Sequence, residues 1–486
     1  MQGWLKRSIL LVGIFTISWL AVIYFWRLEK RMPNISEVAF YFFGVPTLVF
    51  ILVLVMFRMI KLTTDRLKKA QQAAVSLQER QEGGGALETS NLESKLSIGI
   101  LSAAIRTVHG NSVEELSCNL KSNEARLQLD PDLTDSNGFP ILTGRIFELN
   151  ADAQNQAFST WLKEKKQVSK EWTVEQQRAI AMGSDVVIEL AQKAVTHHLL
   201  EKFIEVHAMQ HDLPALPILH LYALLPAKWS DEERAYVTEW FALLIEAQGW
   251  PAERISLRPE IAFLPDRSMI AVDRLMLDAH RLNQPCFGIV IACESSIGEL
   301  TVQDWEENGR LNVRSGRSPC IPGEGAAGLL LADKNQAELI ETEGLSRIHR
   351  VQQGGLTKSA EARGLIDDGL MHNLMKQALT LSNVAMEQVS LISADTDHRS
   401  SRMIELLGAC SKIFPDLDSA TQCFTLATQC GEMGDVASLV TVALGHNSVL
   451  NDSEAAICLS NNDEFQRTAV VVSTWAEATT LSIKNT

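Results

Sequence analysis

Two carboxylates and an imidazole stand together in the segment ADTDHR, which directly follows an apolar run. Asp395, Asp397 and His398 are the residue types that transfer protons in general acid–base catalysis, and the oxygen atoms of the two carboxylates are also ligands that divalent cations prefer. The same order of residues is typical of a polar loop that follows a buried strand. The sequence leaves both interpretations open.

Two other histidines, His207 and His211, are one helical turn apart in EVHAMQHD. Histidines with this spacing can ligate zinc, but the adjacent glutamate of the H-E-x-x-H motif is absent. We therefore expect an amphipathic surface helix here and predict no metal site. The chain also lacks the phosphate-binding loop, the G-x-S-x-G nucleophile motif and the dinucleotide fingerprint, so we predict no cofactor.

Eight cysteines are present without C-x-x-C spacing, which fits a reducing compartment. Cys293, in IACESS, is the one whose surroundings resemble a nucleophile elbow. A reactive thiolate needs the amino end of a helix or another positive environment. Because the following IGELTVQDWEENGRL does not read as a long apolar helix, we expect Cys293 to be a buried strand residue.

The segment PCIPGEGAAGLLLAD places a Gly-Glu-Gly-Ala elbow before an apolar strand. Gly323 and Gly325 are expected to provide backbone freedom at a tight turn where Cβ atoms would clash, with Glu324 between them and Ala326 after them. The residue types of this elbow indicate a structural role, and they predict no chemical reaction at the elbow itself.

The elements that must position these residues alternate between strands and helices from about residue 96 onward. Near-continuous apolar runs such as CFGIVIAC predict buried strands. The run at 231–249 predicts an amphipathic helix with Ser230 as its N-cap and Gly249 at its end. We predict an α/β fold with mixed sheets covered by helices on both faces.

The first 60 residues predict a membrane anchor. Two uncharged apolar runs, about 8–26 and 39–57, are each long enough to cross a bilayer, and the basic residues around them favour both termini in the cytoplasm. We expect a multi-pass protein of a bacterial inner membrane, with a charged, glycine-containing linker at 61–95. An N-terminal α/β subdomain at 96–210 and a larger α/β domain at 211–486 then follow in the cytoplasm. The formal net charge of -15 argues against nucleic-acid binding.

Three segments of the C-terminal half resemble β-ketoacyl synthases. PCIPGEGAAGLLLAD is similar to their G-E-G-A segment, VSLISADTDHRSSRMIELLGA to their E-A-H-G-T-G-T segment, and TLATQCGEMGDVASLVTVALG to their K-S-x-x-G-H segment. The resemblance implies a thiolase-like layered α/β fold. It also implies a cysteine nucleophile at the amino end of a buried helix and two histidines facing it.

The expected catalytic groups are missing at the matching positions. The nucleophile position falls at Asp266, the first histidine position falls on Asp395, and the second falls on Glu432, or on Asp435 if the register shifts. A carboxylate replaces neither a thiolate nor a neutral imidazole in acyl condensation. We therefore expect a degenerate site and no enzyme activity.

The segments at 216–260 and 273–299 resemble the type VI lipase-adaptor family of Gram-negative bacteria. This resemblance implies an adaptor that binds a phospholipase-type effector toxin and loads it onto the secretion spike protein. Two alternatives stay open: an active acyl-transferring or condensing enzyme at the membrane, and a structural component of a membrane secretion complex. The resemblance to thiolase-like proteins also leaves room for a homodimer.

Four tryptophans are candidate binding anchors, unless they belong to the core: Trp229, Trp240, Trp250 and Trp305.

Overall fold

Apolar strands and amphipathic helices alternate along most of the chain in the computed structural model. It describes residues 93–165, 171–209, 216–258, 266–311, 320–342, 344–362, 364–418 and 421–475, with no description of the side chains at 206–209. The chain divides into units at 1–91 and 92–486, and the fold below is that of the second unit. The predicted spans at 8–26 and 39–57 lie outside the described residues. Within the described residues, no helix has both the length and the apolar character needed to cross a bilayer.

The described strands are β1 Ser97–Arg106, β2 Gln128–Thr134, β3 Pro140–Thr143, β4 Leu219–Leu224, β5 Ile255–Leu257, β6 Phe287–Ser295, β7 Glu324–Ala332, β8 Ser346–His349, β9 Gln352–Gly355, β10 Val389–Ala394, β11 Cys423–Thr425, β12 Ala455–Ser460 and β13 Gln466–Thr474. The described helices are α1 Val113–Lys121, α2 Asp152–Glu164, α3 Val174–Ala194, α4 His198–Met209, α5 Asp231–Ala247, α6 Arg267–Leu282, α7 Glu299–Glu307, α8 Lys334–Ala337, α9 Gly369–Ser382, α10 Ser400–Ile413, α11 Leu426–Cys430 and α12 Asp435–Asp452.

Eleven of the described strands form one mixed sheet, and its two halves repeat the same topology. The order is β11-β10-β12-β13-β8-β1-β7-β6-β4-β5, and β9 pairs with β13. In the first half, β4 pairs parallel with β5 and β6, whereas β7 pairs antiparallel with β6 and β1. In the second half, β10 pairs parallel with β11 and β12, whereas β13 pairs antiparallel with β12 and β8. Helices α6 and α12 follow β5 and β11, so they occupy equivalent places in the repeat.

The sheet and helices form layers around α6 and α12. One core contains the apolar residues of these two helices together with alternate residues from strands of both halves. A second core lies between the first half of the sheet and α2 to α5, and a third lies between the second half and α9 and α10. Helix α12 is buried from Val436 to Val449, as expected of a helix enclosed on all sides. The amino ends of α6 and α12 are thereby held inside the molecule.

Local sequence signals agree with the observed elements. Helix α5 begins after Ser230, whose side chain accepts a hydrogen bond from the backbone N–H of Glu233 while the Glu233 side chain binds back to the N-cap. The separate subdomain expected at 96–210 is not found. Strand β1 lies in the middle of the sheet between β7 and β8, and α3 packs against β6 and β7, so this region belongs to the same unit as the rest.

Candidate functional site

The amino ends of α6 and α12 open into one cavity of about 520 Å³. Seven carboxylate side chains and four basic side chains line it, and no histidine is among the described residues of its wall. The four positions to which the sequence assigned lost catalytic groups all lie here. The charged lining residues are Asp266, Glu294, Asp395, Glu432, Asp435, Asp463, Glu464, Lys228, Arg267, Arg310 and Arg399.

Asp266 is the N-cap of α6 and has a left-handed backbone conformation, with φ 52° and ψ 47°. This conformation is uncommon for residues other than glycine and is often found at functional sites. The Thr468 hydroxyl donates a hydrogen bond to Oδ2, while Oδ1 is shielded from solvent. Burial, and then the nearby charge of Asp395, raise the pKa of Asp266 to about 7. Asp266, which the sequence resemblance matches to the nucleophile position, is therefore a carboxyl whose pKa lies near neutral pH.

Asp395 is the first residue after β10, and its carboxylate binds the segment that follows β12. Oδ2 accepts a hydrogen bond from Ser460 Oγ at 2.5 Å, and Oδ1 accepts from the backbone N–H groups of Asn461 at 2.9 Å and Asn462 at 3.2 Å. Burial raises the pKa of Asp395 to about 6 against the effect of these hydrogen bonds. Its contacts join two neighbouring parallel strands at their carboxyl ends.

Of Asp395, Asp397 and His398 in ADTDHR, only Asp395 lines the cavity. Both oxygens of Asp397 accept hydrogen bonds from Arg399, from its backbone N–H at 2.9 Å and from Nε at 2.6 Å. His398 is exposed and lies outside the cavity lining. The cavity therefore does not hold the carboxylate–imidazole cluster considered from the sequence.

Glu432 and Asp435 flank Gly434 at the start of α12. Glu432 accepts hydrogen bonds from Asn462 Nδ2 at 2.7 Å and from the backbone N–H of Gly434 at 3.2 Å. Asp435 accepts one from Arg267 Nε at 2.8 Å. Both acids therefore bind groups of the cavity wall.

Glu294, at the end of β6, is a cavity residue that sequence reasoning missed. Burial raises the pKa of Glu294 to about 7, with the charges of Asp435 and Glu432 adding to the rise against the effect of Lys228. A Cβ atom at Gly434 would lie 2.0 Å from Glu294 Oε2. The signal available from the sequence was an acidic residue that interrupts an apolar strand directly after Cys293.

Neither cysteine near the cavity has the character of a nucleophile. Cys293 is buried within β6, and burial raises the pKa of its thiol. Cys320 lines the cavity, but burial and the nearby charges of Glu432 and Asp397 raise the pKa of its thiol to about 11. Both thiols hold their protons at neutral pH, and a protonated thiol is a poor nucleophile.

Ligand atoms of Cys320, Asp397 and Glu432 lie within 4.8 Å of one another, a separation that a metal ion could bridge. However, Asp397 already accepts two hydrogen bonds from Arg399, and Glu432 accepts one from Asn462 Nδ2. The group does not offer a set of free anionic ligands. Of the histidine pair considered from the sequence, His207 lies in α4 and its side chain falls outside the description, as does all of His211.

The Gly-Glu-Gly-Ala segment has an architectural role. Glu324 is fully buried and accepts hydrogen bonds from Arg178 Nε at 2.7 Å, the backbone N–H of Ile146 at 2.8 Å and Ser295 Oγ at 2.9 Å. The expected tight turn is absent, because Glu324 to Ala326 belong to the extended strand β7. The expected steric constraint is present: a Cβ at Gly325 would lie 2.7 Å from the carbonyl oxygen of Arg106.

The four tryptophans proposed as surface anchors are core residues. Trp229, Trp240, Trp250 and Trp305 are only 5%, 5%, 0% and 7% exposed. Trp240 donates a hydrogen bond to Ser184 Oγ at 2.9 Å, and its ring packs against those of Phe158 and Trp161. Burial of large apolar surface explains their placement, and they are not available to a partner.

Comparison with solved structures identifies the fold as that of ketosynthases, which is thiolase-like. The ketosynthase from module 6 of the bacillaene synthase from Bacillus subtilis 168 has a TM-score of 0.53 at 13% identity, with 79% of this chain and 73% of that chain covered. The ketosynthase from module 1 of the bacillaene synthase from Bacillus amyloliquefaciens FZB42 gives 0.53 at 9% identity, with 81% and 75% covered. The ishigamide ketosynthase/chain length factor gives 0.52 at 10% identity, with 78% and 99% covered. No protein-family model and no curated protein matches this chain. The similarity shows the fold alone.

Proposed function

We propose that this protein is a non-condensing member of the ketosynthase fold that works as a membrane-anchored adaptor. In this proposal it binds a phospholipase-type toxin in the cytoplasm and helps to load it onto a type VI secretion spike. The observation that carries the loss of condensing activity is Asp266 at the N-cap of α6. A carboxyl group there can neither form the thioester of a condensing enzyme nor leave from it as a thiolate does.

The surroundings of Asp266 support the same conclusion. The positions that the sequence matched to the two catalytic histidines carry Asp395 and Glu432 or Asp435, and no histidine is among the described lining residues. A carboxyl group does not supply the imidazole that activates the acyl carbonyl in a condensing enzyme. The adaptor role itself rests on the resemblance of the segments at 216–260 and 273–299 to lipase adaptors, and on the anchor predicted at 8–26 and 39–57.

A pull-down of the full chain from bacterial inner membranes tests the adaptor role. We expect a phospholipase and a spike protein to be retained, each in near-stoichiometric amounts. Retention of membrane secretion components without a phospholipase would favour the structural alternative. The Trp240→Phe variant is a suitable matched control, because a buried change should leave partner retention intact if the protein still folds.

Labelling with an acyl-thioester probe tests the loss of condensing activity on the same preparation. We expect no covalent acylation of the native protein at neutral pH. Acylation that disappears in Cys293→Ala or in Cys320→Ala would instead identify a working thiol and support the enzyme alternative. The two measurements are independent, so the adaptor role and the loss of condensation can fail separately.

One observation favours a second function, an enzyme that uses a cavity carboxyl as a general acid. Asp266 combines a strained backbone conformation with a carboxyl that titrates near neutral pH, which is a frequent signature of catalytic acids. Hydrolysis of a panel of acyl thioesters and esters by the native protein, lost in Asp266→Asn, would establish this function. Equal rates for the two proteins would exclude Asp266 from the reaction.

A further inference from the structure

The hairpin formed by β2 and β3 exposes apolar side chains on its outer face. Leu129 and Leu142 are cross-strand partners and are 61% and 36% exposed, and Phe139 in the connecting turn is 68% exposed. Residues on the inner face, Leu133 and Ile141, are buried in a small core with α7. A hairpin with one solvated face normally carries polar residues on that face. The outer face therefore has the character of an interaction surface.

The hairpin is held in place by buried polar contacts. Asp130 is fully buried and accepts hydrogen bonds from Arg145 Nε at 2.7 Å and Thr143 Oγ1 at 2.9 Å. At the turn, Ser136 donates hydrogen bonds from its backbone N–H and its hydroxyl to Glu306 of α7, at 2.8 and 2.6 Å. A surface fixed in this way loses little conformational entropy when a partner binds.

A groove of about 560 Å³ lies between α7 and residues 132–136, and Asp135 in its wall accepts a hydrogen bond from the backbone N–H of the exposed Phe139 at 2.8 Å. Of the ten described residues that line the groove, five are Asp or Glu and none is Lys or Arg: Asp132, Leu133, Thr134, Asp135, Ser136, Glu299, Val302, Gln303, Glu306 and Glu307. Arg145 lies 3.8 Å from Asp132 and offsets part of this charge. Leu133 and Val302 add apolar contact surface inside the acidic groove.

We infer that this hairpin surface, comprising Leu129, Phe139, Leu142 and the acidic groove, docks a segment of another protein that carries both apolar and basic side chains. The apolar face supplies the area that the segment buries, and the carboxylates of the groove favour Lys or Arg side chains on that segment. The carboxylates of the groove repel two other possible ligands, an anionic membrane and an acidic peptide. The inference deepens the proposed adaptor role and rests on it for its biological meaning.

Peptide binding to the full chain in phosphatidylcholine nanodiscs tests this surface, with empty nanodiscs as the blank. The probe is a fluorescein-labelled amphipathic peptide of Leu and Lys, compared with versions that carry Glu or Gln in place of Lys. We expect the Lys peptide to bind most tightly and to weaken with salt. The double variant L129S/F139S should weaken binding about ten-fold, as expected when anchoring apolar contacts are lost. The exposed pair E299Q/E307Q should weaken binding and reduce its dependence on salt.

A matched control changes a fully exposed leucine and two exposed acids elsewhere, as L365S with E246Q and E253Q. It should leave the dissociation constant unchanged. An equal loss in this control, or equal binding of the Glu peptide, would overturn the inference. If L129S/F139S instead converts a dimer into a monomer and the Lys peptide does not bind, the face is a self-association surface and the inference also fails. Retention of a phospholipase is measured separately, so the docking surface and the adaptor role can fail independently.

Discussion

Arg267 and Asp435, the first residues of the two central helices, form an ion pair across the topological repeat. Arg267 Nε lies 2.8 Å from Asp435 Oδ2, and Arg267 also donates a hydrogen bond to the carbonyl oxygen of Leu225 at 2.8 Å. The amino end of a helix carries a partial positive charge, so an arginine at the start of α6 is unfavourable there. Asp435 offsets that charge, and its own position at the start of α12 is favourable. The pair thus fixes the two helix ends that form the cavity.

Breaking this pair should destabilise the protein strongly. Asp435→Asn removes the carboxylate that pairs with the mostly buried guanidinium of Arg267, and such a change costs about 3 kcal/mol. Urea denaturation at pH 7 measures the loss. Glu239→Gln, which breaks the exposed pair with Lys165, is the control and should cost less than about 1 kcal/mol. A similar small effect for both variants would show that the pair does not hold the helix ends.

Substitution of Asp266 should change how stability depends on pH. The pKa of Asp266 rises from an ordinary value of 3.8 to about 7 in the fold, so between these values the folded state holds a proton that the unfolded state has lost. Stability therefore falls as pH rises through this window, by at most about 1.4 kcal/mol per pH unit for this group. Asp266→Asn removes the effect, and asparagine tolerates the left-handed conformation.

Denaturation at pH 5, 6, 7 and 8 (roughly the window set by linkage) compares the two proteins. The variant should gain stability relative to the native protein as pH rises, with the difference levelling off above about pH 7. Glu294 contributes to the slope of both proteins and cancels in the difference. Parallel curves would mean that Asp266 is ionised throughout, and that the cavity tolerates its charge.

Elements with strong local signals could be predicted from the sequence, and elements defined by distant partners could not. Helix α5 carries its own cap at Ser230, and β6 is a continuous apolar run, so both are visible locally. Strand β1 pairs with β7 and β8, more than 200 residues away, and no local pattern indicates that it lies at the centre of the sheet. The topological repeat is equally invisible, because it resides in pairing order and not in residue identity.

The candidate site likewise contains residues that the sequence could identify and residues that depend on distant partners. Positions 266, 395, 432 and 435 could be selected by alignment with ketosynthase segments, and the structure places all four on one cavity. Glu294 gave only the signal of an acid that interrupts an apolar strand, and Arg267 gave none, since their importance depends on which helix ends meet. The sequence left the tryptophans as either binding anchors or core residues, because an indole suits an interface and a core equally well, and the packing shows that they belong to the core.

Glu324→Gln tests whether the Gly-Glu-Gly-Ala segment is architectural. The change keeps the shape of the side chain but removes the charge that pairs with Arg178, whose guanidinium is mostly buried. We expect a loss of about 3 kcal/mol in the free energy of unfolding, because an unpaired charge is left in the interior. Arg178→Met in the same background should recover part of the loss. No recovery would indicate that the hydrogen bonds of Glu324 to Ile146 and Ser295 matter more than its charge.

The contact between Glu294 and Gly434 should make residue 434 intolerant of any side chain. Gly434 has φ 56° and ψ -133°, a conformation that strains other residues, and a Cβ there would lie 2.0 Å from Glu294 Oε2. We expect Gly434→Ala to cost at least about 2 kcal/mol, from backbone strain together with the steric clash. A double-mutant cycle with Glu294→Ala separates the two causes, since it removes the clash and leaves the strain. If the double variant loses at least about 1 kcal/mol less than the sum of the two single losses, the Glu294 carboxyl presses on the side chain at position 434. Additive losses would show that the carboxyl moves aside and that backbone strain accounts for the cost of Gly434→Ala.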